Sequence, residues 1–135
     1  SNSQTTGARP TQPYGPKTDG AGAKDAPPSG AGGEAIDTSE YDAKIERLQK
    51  QVDKKGASDA EKRELARAYL ERAKALTKAH QYRVALGDYR RTLRYDPGNQ
   101  EAQQMAGTII SILQSMGHEV PAEGREPAPL PYKKG

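Results

Sequence analysis

His80 and His118 are the side chains best suited to move a proton or hold a metal ion near neutral pH. His80 falls where one helical pattern stops and the next begins, and His118 sits at the edge of a proline-containing stretch. Neither has a carboxylate or a second imidazole at the spacing of a metal site or an acid–base pair. Asp42, Glu46 and Asp53 interleave with Lys and Arg at helix spacing, which makes them surface pairs of small individual worth. Gly20-Ala21-Gly22 and Gly30-Ala31-Gly32-Gly33 lack the preceding strand and following helix N-terminus that a phosphate cradle needs. Cysteine is absent, which excludes disulfides, thiolate metal sites and cysteine nucleophiles within these residues. The chain is expected to be no enzyme, with no catalytic residue, metal or cofactor.

The chemistry that remains is noncovalent. Lys62, Arg63, Arg67, Arg72, Lys74, Lys78, Arg83, Arg90, Arg91 and Arg94 are opposed within the same stretch only by Glu64, Glu71 and Asp88. That local excess of positive charge, in a chain of net charge +3, reads either as a solvated helix surface or as a patch for an acidic partner. The tyrosines near it are assigned to the core, so stacking on single-stranded nucleic acid has little to work with.

Four elements must position these residues. Residues 1 to 36 hold seven Gly and five Pro and no Val, Leu or Phe. Such a segment buries too little apolar surface to offset its ordering entropy, and it is expected to be a disordered linker. Pro10-Thr11-Gln12-Pro13 and Pro13-Tyr14-Gly15-Pro16 read as plain spacer rather than as a docking motif. Residues 118 to 135, with Pro121, Pro127, Pro129 and Pro131, are expected to be a second disordered tail. Between them, residues 37–117 form the folded domain.

Its first helix spans about 39 to 55, with Tyr41, Ile45, Leu48 and Val52 as one stripe, Thr38 or Ser39 as a cap and Gly56 as the stop. Ser58 with Glu61 forms a capping box that opens the second helix, which runs to about Ala79 with Leu65, Tyr69, Ala73 and Leu76 as its stripe. His80-Gln81 is the turn. The third helix, about 82 to 95, ends at Asp96-Pro97 because proline disfavours the helical region before it. Asn99 caps a fourth helix to about Met116, the most apolar of the set. No segment alternates as a strand does, so the fold is all-α, an antiparallel array of four helices. No apolar run approaches the ~20 residues that span a bilayer. A core of this size is expected to be marginal by itself.

The stretch from about Ala66 to Asn99 resembles a tetratricopeptide repeat, a helix–turn–helix module of about 34 residues. Tyr69, Ala73, Tyr82, Ala85, Tyr89, Leu93 and Pro97 stand at its packing positions. Small residues at 73 and 85 let the two helices approach, and the aromatics fill the space around them. Arg72 stands where the family usually has Leu, His80 where Gly is frequent, and Thr92 where Ala is usual. Half repeats flank this one on each side. The resemblance implies a groove lined by the first helix of each repeat, here Arg67, Leu70, Lys74, Thr77 and Lys78, with Glu101, Gln104, Thr108 and Ser111 from the following helix. Leu70 replaces a lysine that some members use to grip a C-terminal carboxylate, so that grip is not expected.

The implied function is a noncatalytic protein–protein interaction or scaffold module binding an acidic protein or peptide. The alternative is a binder of nucleic acid or an anionic surface through residues 62–94. The fourth helix either caps the array or joins a second copy of the chain. The Gly/Pro-rich lead-in resembles the spacer of a bacterial lipoprotein. That implies a lipid anchor upstream of residue 1 and a periplasmic or outer-membrane setting for envelope assembly; a cytoplasmic adaptor is the alternative.

Overall fold

Each helix begins and ends where a specific backbone group is satisfied. The computed structural model describes residues 32–134, so most of the expected N-terminal linker lies outside them. Helices α1 (Ser39–Asp53), α2 (Asp59–Lys78), α3 (Tyr82–Tyr95) and α4 (Gln100–Ser115) follow in order, with no strand among the described residues. The capping box forms as expected: Glu61 N–H donates to Ser58 Oγ at 3.0 Å and Ser58 N–H to Glu61 Oε1 at 2.8 Å. Asn99 Oδ1 accepts Ala102 N–H at 2.9 Å and starts α4. Thr38 makes no side-chain cap to α1; its hydroxyl donates to Asp42 Oδ2 instead.

Two helix ends share one design. At the close of α2, Gln81 N–H bonds Leu76 O and His80 N–H bonds Thr77 O, with His80 left-handed at φ 62°. After α4, His118 N–H bonds Leu113 O, and Gly117 N–H bonds Gln114 O with φ 72°. Both are the 6→1 and 5→2 pattern that satisfies the last helical carbonyls. Glycine adopts that backbone freely, whereas the histidine bears strain there.

The helices pack α1 on α2, α2 on α3 and α3 on α4, each antiparallel to its neighbour across a short connection. Helix α2 is the centre and therefore needs two apolar stripes. Leu65, Ala68 and Tyr69 meet Ile45 and Leu48 of α1. Leu70, Ala73 and Leu76 join Val84, Ala85, Leu86 and Tyr89 of α3, with Ala102, Ile109 and Leu113 of α4. Ala73 and Ala85 are wholly buried, as the small-residue spacing predicts. Helix α4 turns its apolar side inward, with Met105, Ala106 and Ile110 against the same cluster, and shows Gln104, Thr108 and Ser111 to solvent. It is a cap.

The C-terminal expectation needs correction. Gly33–Gly135 form one compact unit with the helices, and residues 118–134, though irregular, lie packed as a strap rather than hanging as a tail. Val120 packs on the core, Pro121 is buried, and Glu126 pairs with Arg90 of α3. The end of the expected linker is held too: Glu34 N–H bonds Ala79 O at 2.8 Å, and Ile36 packs on the core. Gly33, at φ 103°, approaches so closely that a Cβ would lie 2.6 Å from Ala79 O.

Candidate functional site

Lys74 of α2 and Glu101 of α4 form an ion pair at 3.2 Å. That contact bridges the two helices, which run the same way because each is antiparallel to α3. Residues at three, four and seven positions from a given one share a helix face. Lys78 therefore lies on the Lys74 side of α2, and Gln104 and Thr108 lie on the Glu101 side of α4. All are exposed, as are Arg67 and Ser111 farther along each helix. The structure thus brings most of the expected groove residues to one polar face.

Two of them do not serve as expected. Leu70 is only 9% exposed and belongs to the core cluster between α2, α3 and α4. Its helical position faces the neighbouring helices, so it supports the face from beneath rather than lining it. Thr77 is half-buried, and its hydroxyl donates to Ala73 O at 2.8 Å. The phenol of Tyr89 lies 3.3 Å from that hydroxyl. Burial pushes the Tyr89 phenol above its ordinary range, opposed by the bond to Thr77.

Of the residues at the packing positions, Tyr69, Ala73, Ala85 and Tyr89 are buried, Tyr82 and Leu93 are partly buried, and Pro97 is exposed beyond the end of α3. Tyr69 stacks on Tyr95 with ring centroids 6.2 Å apart and planes within 5°. Gln49 of α1 ties both phenols, accepting from Tyr69 at 2.7 Å and donating to Tyr95 at 2.9 Å. The guanidiniums of Arg72 and Arg91 lie 5.8 and 5.9 Å from the Tyr69 ring centroid.

Sequence reasoning missed the ionic centre of the molecule. Arg72 grips Asp88 through Nε and Nη2 at 2.7 and 2.9 Å and reaches Asp42 of α1 at 2.8 Å. Arg91 adds a bond to Asp88 at 2.6 Å. Asp88 is 1% exposed, and its charge is met from both sides. Burial works against the charged Arg72, but its bonds to Asp88 and then Asp42 outweigh that and hold its pKa above the ordinary value. One guanidinium thus knits α1, α2 and α3. Asp88, alone among cations, was the available signal.

The same accounting changes the basic segment. Arg72 and Arg91 are taken by Asp88 and Asp42, Lys74 by Glu101 and Arg90 by Glu126, and Arg83 is buried. Three acids from elsewhere in the fold, Asp42, Glu101 and Glu126, thus offset part of the excess of charge visible in the sequence. Among the described residues there is no cluster of three His, Asp or Glu able to hold a metal ion, and no helix long and apolar enough to cross a membrane. Comparison of the chain with protein-family models, curated proteins and solved structures gave no match.

Proposed function

We propose that the chain is a noncatalytic protein-binding module on the tetratricopeptide-repeat plan, taking an acidic or polar peptide segment along the face shared by α2 and α4. The Lys74–Glu101 pair carries this reading, because it makes one surface of two helices. Besides the paired Lys74, the exposed cations on that surface are Arg67 and Lys78, beside the hydroxyls and amide of Gln104, Thr108 and Ser111. This is a surface for hydrogen bonds and modest charge attraction. The internal pairing of four cations argues for a peptide partner over a polyanion, since a nucleic-acid surface works through unpaired phosphate-binding cations. A scaffold role in a bacterial envelope rests on the composition of residues 1–36 alone.

The test is capture of binding partners on immobilised chain, natural against Arg67→Glu with Lys78→Glu. Capture is expected to fall with the double variant while helicity is retained. Equal capture counts against the face. A salt titration separates the polyanion alternative, for which affinity drops by orders of magnitude between low and moderate salt.

A further inference from the structure

Helix α3 is buried on more sides than its two helical neighbours, α2 and α4, can cover. Its residues 83–89 are buried without a break, and so is Thr92. Packing against α2 and α4 accounts for Val84, Ala85, Leu86 and Tyr89. Gly87 is covered by the strap.

The strap is fitted there in detail. Arg90 Nη1 donates to Pro121 O at 2.8 Å and to Glu126 Oε2 at 2.6 Å. The Glu126 side chain is 3% exposed. A turn, closed by Arg125 N–H on Ala122 O at 2.9 Å, presents that carboxylate, whose other oxygen accepts Gly124 N–H at 3.1 Å. Gly124 takes φ 87° at the turn. Gly87 makes the approach possible, since a Cβ there would stand 2.9 Å from Glu126 Cβ and 3.1 Å from its Cγ. Farther on, the buried Gln81 amide donates to Glu34 O at 2.6 Å and accepts Leu130 N–H at 3.0 Å. The strap carries few apolar anchors, Val120, Pro121 and Leu130 among them, so its attachment rests on two ion pairs, the buried Arg90–Glu126 and the exposed Lys134–Asp37, and a few hydrogen bonds. Segments so held open at a small fraction of the global unfolding free energy.

We infer that the Gly87–Arg90 surface of α3 is a second peptide-recognition site, occupied in cis by the chain's own strap, and that a partner protein's acidic turn segment binds there by displacing it. The segment already seated defines the required chemistry: a backbone carbonyl and a carboxylate reaching one guanidinium, with the carboxylate's methylenes lying over a glycine. Arg90 supplies the charge complement and Gly87 the space. The site lies on α3, apart from Arg67, Lys78 and the α2–α4 face, so each proposal can fail without the other.

The test uses the full chain and a fluorescein-labelled peptide of residues 118–134. In the natural chain the strap competes as a tethered ligand, at an effective concentration on the order of millimolar, and the peptide binds weakly. Glu126→Ala in the chain weakens the strap, and peptide affinity by anisotropy is expected to rise about tenfold. The amide of Leu130 should exchange faster at the same time. Adding Gly87→Ala, which favours helix yet places a methyl against the glutamate, should abolish the gain. Affinity no higher than for the natural chain, Leu130 exchange unchanged, or a gain indifferent to Gly87→Ala each overturns the proposal. If Glu126→Ala costs the helices, the natural chain decides: excess unlabelled peptide should shift the nuclear magnetic resonance signals of Gly87 and Arg90, and a peptide carrying Glu126→Ala should not. No shift with the natural peptide overturns the site. A concentration-dependent dimer of the natural chain that Gly87→Ala dissolves assigns the surface to a second copy's strap and overturns the partner reading.

Discussion

Ala73 and Ala85 have no exposure at all, and their smallness is what lets α2 and α3 close on each other. A leucine at either position inserts three extra carbons into a filled interface. Ala73→Leu or Ala85→Leu is expected to lower stability by about 1–3 kcal/mol, read from urea midpoints with the slope unchanged. Arg72 and Asp88 show a different residue-scale logic. Arg72→Leu leaves a buried carboxylate with only Arg91 beside it. It should cost about 3 kcal/mol, whereas adding Asp88→Leu should recover much of that loss, because a buried pair removed whole costs far less than one broken. An additive double variant would disprove this. At His80 the left-handed backbone is strained, and His80→Gly should stabilise by up to about 1 kcal/mol, less whatever the tilted contact with Tyr82 at 5.6 Å contributes. The alanine spacing and the turn were visible in the sequence. The Arg72–Asp88 pair was not, because the two lie on different helices and their charges alone could not say which cation meets which acid.

At the scale of elements, most start and stop signals were legible, although Thr38 makes no cap to α1 and that helix ends at Asp53, short of Gly56. Ser58 with Glu61, Asn99, Asp96-Pro97 and Gly117 act on neighbours within a few residues, so they work before any tertiary contact exists. Ser58→Ala should remove the cap and cost about 1 kcal/mol, with amide exchange increased in the first turn of α2. Helix α2 was expected to show one stripe and instead carries two, since it packs between α1 and α3. Its alanines fit both readings, and only the neighbours distinguish them. Leu70 was misplaced for the same reason. The strap escaped notice because its hold depends on Arg90 and Gln81, far away in sequence. Proline and glycine predicted that residues 118–134 would form no helix or strand, which is so, but irregular backbone and loose backbone are different things. Gly87 within α3 was the one local hint that something lies against that helix.

The described residues form a short helical array held by an apolar centre and covered along α3 by the chain's own C-terminal segment. Its alkaline limit follows from the tyrosines. Burial raises the Tyr69 phenol above its ordinary value, opposed by the nearby Arg91 charge, and burial likewise raises Tyr89. A folded-state pKa above the unfolded one means the neutral phenol is favoured in the fold. That stabilisation is complete below the unfolded value of about 10 and is lost as pH rises through the folded value. The unfolding free energy should therefore fall above about pH 10, and Tyr69→Phe with Tyr89→Phe should shrink that fall; an unchanged slope would contradict it. The sequence by itself determined the helices, their ends and the close alanine contact, because periodicity, capping and side-chain size act locally or along one face. Only the tertiary structure decided which charges are neutralised, which face of α2 and α4 remains open, and that the C-terminal segment lies on α3. Those outcomes depend on pairings between residues distant in the chain, and no local pattern specifies a partner that arrives from another element.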